Sequence, residues 1–164
     1  AHARLADDKA EAEIGWIIDL VTAIRSVRAE MNVPAAAKVA LVLKDANAES
    51  ATRLERHRDQ IITLARLTSA ETADVLPPGS AQFVVREATA AIPLGDVIDF
   101  AKERARLEKD LARAQSEIGK IDAKLGNPDF VSRAPEEIID EQKERRSETA
   151  ALAERLSQAL QMLA

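Results

Sequence analysis

From about residue 94 to the end of the chain, apolar residues recur with the alternating three- and four-residue steps that keep one helical stripe facing a partner helix. Phe100, Arg104, Leu107, Leu111, Ala114, Ile118, Ile121 and Leu125 mark this seam on an ascending arm. Ile138, Gln142, Arg145, Thr149, Leu152, Leu156, Ala159 and Leu163 repeat the rhythm on a descending one. Folded back on itself, the stripe sets Leu125 against Ile138, Leu111 against Leu152, Leu107 against Leu156 and Phe100 against Leu163. Ile118 and Ile121 then face Arg145 and Gln142, so that stretch is expected to be looser. Asp96 is a candidate N-cap for the first arm. Gly126-Asn127-Pro128 ends it, and Pro135 followed by Glu136 and Glu137 opens the second, with acids near the positive end of the helix dipole. Arms of about 30 residues at 1.5 Å each extend roughly 45 Å, which is a projection and not a globular core.

Upstream the pattern predicts a helix from about Ala3 to Asn32, with one stripe of Ile14, Ile17, Ile18, Val21 and Ile24 and a neighbouring one of Trp16, Leu20, Ala23 and Val27. So broad an apolar surface needs more than one partner, and its companions are expected to lie outside this chain. Pro34 stops the helix because the residue before a proline is pushed out of the α region. Val39 to Leu43 suits a strand. Asp45 and Asn47 offer capping oxygens for a helix from about Ala48 to Ala65. That helix would turn Leu54, Ile61, Ile62, Leu64 and Leu67 to a sheet and Arg53, Glu55, Arg56, Arg58 and Asp59 to water. Further strands are expected at Thr72 to Val75, before the Pro77-Pro78-Gly79 turn, and at Gln82 to Arg86 and Thr89 to Leu94, paired as a hairpin. The fold class is mainly α with a small α+β module and a long antiparallel two-helix coiled-coil hairpin at the C-terminus. Its divisions fall at 1–33, 34–93 and 94–164.

Charge narrows the function. The 164 residues carry 23 Lys and Arg against 28 Asp and Glu, a net charge of −5, so any nucleic-acid contact must come from local cations. The chain has no cysteine, which fits a reducing compartment, and cytoplasm is the default. No apolar run approaches the roughly 20 residues that cross a bilayer, and no leader is visible, so no membrane partner is expected. The chain opens on Ala1 and not on Met, so it is expected to be a piece of something larger.

No catalytic or metal-binding constellation can be written. His2 and His57 stand at no ligand spacing and read as surface residues, and the scattered glycines form no phosphate-cradling loop. The hairpin cations carry more information. Arg106, Arg113 and Lys120 occupy one heptad position, at intervals of about 10.5 Å along one flank, a rail that a phosphate backbone could follow. Lys102 and Lys109 share the adjacent outward position, while Lys124, Arg133, Lys143 and Arg146 lie toward the tip. The competing explanation is solubility and pairing with Glu103, Glu108, Asp110, Glu117 and Asp122. Only Trp16, Phe83, Phe100 and Phe130 are aromatic, too few for a platform that stacks single-stranded bases. Phe130 in the tip has two readings: a plug against Leu125 and Ile138, or an apolar contact with exposed bases. Arg104 and Arg145, on the seam, read as snorkelling or bridging residues.

The string Ile24-Arg-Ser-Val-Arg-Ala-Glu-Met-Asn-Val-Pro34 resembles the closing helix of the anticodon-binding bundle in bacterial-type valyl-tRNA synthetases. Leu125-Gly-Asn-Pro-Asp-Phe-Val-Ser-Arg-Ala-Pro135, preceded by Ala-Ile-Pro-Leu at 91 to 94, resembles the C-terminal coiled coil of the same family. The resemblance implies a class I parent enzyme that uses ATP to attach valine to tRNA(Val), with the coiled coil reaching the tRNA elbow. It makes 1–33 the last helix of the bundle, 34–93 a linker module and 94–164 a tRNA-binding arm. It also places Arg25 and Arg28 near the anticodon-binding region. The signatures of class I catalytic domains, His-Ile-Gly-His and Lys-Met-Ser-Lys-Ser, are absent, so this fragment is expected to activate no amino acid and to hold no cofactor. Its expected partners are tRNA(Val) and the catalytic and anticodon-binding domains of the same parent chain. The rival expectation is a structural coiled-coil module for protein–protein assembly, self-associating through the hairpin or an exposed Trp16/Leu20 surface.

Overall fold

The computed structural model describes residues 2–163, and the side chains of residues 4–163. Two compact units appear, one running to Phe100 together with Leu163, the other comprising residues 101–162.

The first unit opens with α1 (His2–Glu30), followed by β1 (Val39–Lys44), α2 (Ala48–Arg56), α3 (Arg58–Ala65), β2 (Leu67–Thr72), β3 (Ser80–Val85) and β4 (Ala88–Pro93). The sheet order is β2-β1-β4-β3, with β1 parallel to β2 and the other neighbours antiparallel. A parallel pair needs a crossover, and α2 with α3 supplies it. β3 and β4 form the expected hairpin, Val85 opposite Ala88, around Arg86 at φ 54°. Gly79 enters β3 at φ 67°, a conformation glycine adopts without a Cβ penalty.

Packing reverses the expected weighting of the two stripes on α1. Trp16, Leu20 and Val27 are buried with Val21, Ile24 and Met31, whereas Ile14 and Ile18 each remain 56% exposed. The Trp16/Leu20 face is therefore the interior face of this unit and no free surface. Leu20, Ile24 and Met31 join Leu41, Leu43, Leu54, Ile61, Ile92 and Leu94 as its fully buried side chains.

The helix expected over 48–65 is broken at His57, which closes α2 through its amide to the Arg53 carbonyl and turns its ring to Glu13, 2.6 Å away. His57 is thus a bridging residue and not an ordinary surface one. Arg53, expected in water, is buried and bonds Glu13 at 3.0 Å and Glu49 at 2.7 Å. Leu64 is exposed instead of facing the sheet. β2 lies at Leu67–Thr72 and not at Thr72 to Val75, because Arg66 takes the left-handed conformation immediately after α3 and the strand starts at once. Asn47 caps α2 as expected, its Oδ1 accepting from the Ser50 amide at 2.8 Å.

The second unit contains most of α4 (Phe100–Leu125), the short α5 (Pro128–Arg133) and α6 (Glu136–Met162). Helix α4 begins at Phe100, after a turn in which the Val97 and Ile98 amides bond the Leu94 carbonyl, so Asp96 is not its cap. With 26 and 27 residues, α4 and α6 run about 40 Å each, somewhat less than expected. The chain turns at Gly126-Asn127; Asn127 then caps α5, its Oδ1 accepting from the Asp129 amide at 3.1 Å, and Pro128 fills the first-turn position.

The two arms are antiparallel, since Asp122, late in α4, meets Arg146 of α6, whereas the earlier Asp110 and Ala114 line one cavity with the later Leu152 and Leu156. On α4 the expected stripe holds at Leu107, Ala114 and Ile121, all buried, while Arg104 is exposed. On α6 alternate layers turn by one residue. Thr149 and Ala159 are buried, but Leu152 is 42% and Ile138 39% exposed while Ala153 and Ile139 are half-buried in their stead. The expected Leu111/Leu152 layer is therefore displaced: Leu152 sits on a flank. Small residues line much of this seam, and they let the helices approach at the expense of buried apolar area.

Candidate nucleic-acid interface

A cation on a long helix serves a ligand only if its charge is not consumed by a neighbouring carboxylate. The arm divides on this criterion. Arg106 is held by Glu103 three residues back, with Nη2 at 2.8 Å and Nε at 3.1 Å, and lies 3.5 Å from Asp110 four residues on. Arg146 donates through Nε and Nη2 to the two oxygens of Asp122 across the hairpin. The bond holds the Asp122 carboxyl below its ordinary range and raises the Arg146 guanidinium above its own. These two expected site residues are therefore tied to carboxylates.

Arg113, Lys120, Lys124, Arg133 and Lys143 are all exposed, and among the described residues none of them forms an ion pair. Arg113 and Lys120 stand on one face of α4, seven residues and so about 10.5 Å apart along the axis. Around Arg113 a cavity of about 270 Å³ is shared by Asp110, Ala114, Glu117, Leu152 and Leu156, so the displaced Leu152 gives this flank an apolar floor beside a guanidinium. The sequence reading missed that juxtaposition because it assigned Leu152 to the seam.

At the tip, Phe130 is half-buried on α5 and Val131 is 44% exposed beside it. Arg133 ends the same short helix. Arg145, expected in the seam, points outward and meets Glu117 at 3.7 Å. Among the described residues no group of three or more His, Cys, Asp or Glu side chains could hold a metal ion, and no helix is long and apolar enough to cross a membrane.

Comparison with known proteins places this geometry. Residues 99–164 match the family described as the valyl tRNA synthetase tRNA binding arm. Over 158 residues the chain is 51% identical to the valine–tRNA ligase of Caulobacter vibrioides, covering 96% of this chain and 17% of that protein. The valine–tRNA ligase of Bradyrhizobium diazoefficiens is 49% identical over 162 residues, 99% of this chain and 17% of the relative. That of Rhizobium meliloti is 51% identical over 140 residues, 85% and 15% respectively. This chain belongs to the valyl-tRNA synthetase family. It matches the C-terminal region of the synthetase, and the hairpin with its cation-bearing flank is the matched arm. The chain spans about one-sixth of the length of these relatives.

Proposed function

We propose that the hairpin of α4 and α6 is a non-catalytic tRNA-binding arm of a valyl-tRNA synthetase whose parent chain ligates valine to tRNA(Val) with ATP in the cytoplasm. The match of residues 99–164 to the tRNA binding arm carries this reading. Arg113, Lys120, Lys124, Arg133 and Lys143 supply the sugar-phosphate contacts; Arg106 and Arg146 contribute after exchanging carboxylate partners for phosphates. Such contacts position the tRNA elbow and read no sequence. Phe130 adds an apolar contact at the tip.

The exposed Ile14/Ile18 flank of α1 we assign to packing against the anticodon-binding domain of the parent chain, not to assembly with a separate protein. ATP and valine belong to the catalytic domain of that parent.

Replacing Arg106, Arg113 and Lys120 together by Ala tests the arm. Gel-shift titration of the 164-residue chain with folded tRNA(Val) should show weaker binding and a flatter salt dependence, since fewer counterions are released. In the complete synthetase the same changes should raise KM for tRNA. An unchanged salt slope, or a wild-type chain that dimerises and ignores both tRNA and a mixed-sequence RNA duplex, would favour the assembly module.

A further inference from the structure

We propose that a cavity at the C-terminal end of α1, walled by Arg25, Arg28 and Arg66, binds a phosphodiester of RNA and gives this chain a second RNA contact, on the first unit. The inference rests on the tRNA-binding reading for the identity of the ligand, and on the geometry alone for the anion.

The cavity has a volume of about 350 Å³, the scale of a small-ligand site. Its lining contains the three arginines and no carboxylate, with Ala29, Val33 and Leu64 as apolar wall. Apart from Arg4, near the start of α1, the other arginines of this unit behave differently. Arg53 and Arg56 pair with Glu13, Arg58 with Glu71 and Arg86 with Asp19. Among the described residues Arg25, Arg28 and Arg66 form no ion pair at all, although they face one hollow. A guanidinium does not shed its proton in a protein, so three uncompensated charges persist there.

Backbone carbonyls orient these side chains without neutralising them. Arg25 donates through Nε and Nη2 to the Leu64 carbonyl at 3.2 and 2.9 Å, which leaves Nη1 uncommitted. Arg66 donates through Nη1 to the Ala35 carbonyl at 2.6 Å, which leaves Nε and Nη2. Arg28, only 8% exposed, is spent on the carbonyls of Arg66, Pro34 and Ala37. Its role is to hold the loop and to supply field, whereas Arg25 and Arg66 keep N–H groups for an incoming oxygen.

The charge there is costly. Burial and, second, the neighbouring positive charge of Arg66 depress the Arg28 guanidinium from its ordinary value. The C-terminal dipoles of α1 and α3 offset part of this. A helix end carries roughly half a charge, so two ends do not cancel three guanidiniums. An anion does. Arg66 also holds the left-handed conformation, φ 54° and ψ 58°, which swings its side chain out of α3 toward Ala35. Planar forks with N–H groups left over match the oxygens of a phosphodiester.

The test uses the 164-residue chain. Inorganic phosphate, titrated while the arginine side-chain N–H resonances are followed by NMR, should shift those of Arg25 and Arg66 saturably and leave Arg58 unmoved. Arg25→Gln with Arg66→Gln should abolish those shifts, weaken tRNA(Val) binding about threefold or more, and flatten the log–log salt slope by about 0.9. Arg58→Gln should change affinity less than twofold. Absence of saturable shifts in the wild-type chain, which needs no variant to fold, overturns the site. Phosphate binding with unchanged tRNA affinity in the double variant overturns the RNA ligand. Arg113→Gln with Lys120→Gln separates the two readings. Loss of tRNA binding only with that arm variant keeps the arm and removes the cavity, and loss only with the cavity variant does the reverse.

Discussion

Arg146 reaches across the hairpin and grips both carboxylate oxygens of Asp122, twenty-four residues earlier in the chain. Both residues are at the surface, where such a pair adds little stability and is screened by salt. Its effect is on which charges the arm presents. Asp122→Asn should therefore leave the thermal midpoint nearly unchanged while tightening tRNA binding at low salt, because Arg146 is released and a carboxylate near the phosphates is lost. Arg146→Gln should weaken binding. Gel-shift titrations at two salt concentrations check both, and weaker binding by Asp122→Asn would show that the bridge presents the arm instead of masking it.

Acid should act first on the first unit. Glu13 is held at about 2, against an ordinary 4.5, by the hydrogen bond from His57 foremost and by Arg53 and Arg56, with burial opposing them. A carboxyl depressed in the folded state contributes stability above about pH 4.5, and that contribution is lost as pH falls from 4.5 toward 2. Glu87, lowered mainly by the Asn47 amide, acts in the same direction. Glu13→Gln should cost about 1 to 2 kcal/mol at pH 7 and remove much of the pH dependence in that window. Trp16, the single tryptophan and a buried residue of this unit, reports the transition by fluorescence.

The elements and the hairpin direction were legible because each depends on local pattern: Asn47 at an N-cap, Pro34 at a stop, Gly126-Asn127 at a turn. What escaped was decided by tertiary partners. Trp16 and Ile18 are equally apolar and two residues apart, yet only Trp16 finds Ser50, its indole N–H donating to the hydroxyl at 3.2 Å while that hydroxyl donates to Glu87. Glu87 sits at the β3–β4 turn, a neighbour that α1 cannot announce. Arg53 looked solvated because its partner Glu13 lies forty residues away. In the arm the sequence favours Leu152 over Ala153 by hydrophobicity, and helix approach selects the smaller side chain. The cations were legible as a rail, but not which were already paired.

The two faces of α1 give a direct stability contrast. Leu20 is fully buried, so Leu20→Ala should cost about 2 to 5 kcal/mol through lost burial and a residual cavity. Ile18→Ala, on the exposed flank, should stay within about 0.5 kcal/mol. Urea unfolding followed by Trp16 fluorescence distinguishes them. Equal losses would mean that Ile18 is covered in solution by a contact the chain makes with another copy of itself.

Gln142 offers the opposite kind of change. It is half-buried on α6, and its Oε1 is buried with no hydrogen-bond partner, an acceptor stripped of water without a donor in exchange. An unmet buried acceptor costs about 1 to 3 kcal/mol. Leucine at this position restores an apolar contact of similar size on a helix whose buried positions are otherwise Thr149 and Ala159. Gln142→Leu should therefore raise the melting temperature of the hairpin, read by far-ultraviolet circular dichroism, by an amount equivalent to about 1 kcal/mol. A lower melting temperature would mean that a bound water satisfies Oε1 and that the polar layer fixes the register of the arms. Sedimentation of the variant then decides between these effects and a new self-association, because a leucine that stabilises by dimerisation makes the melting temperature rise with protein concentration.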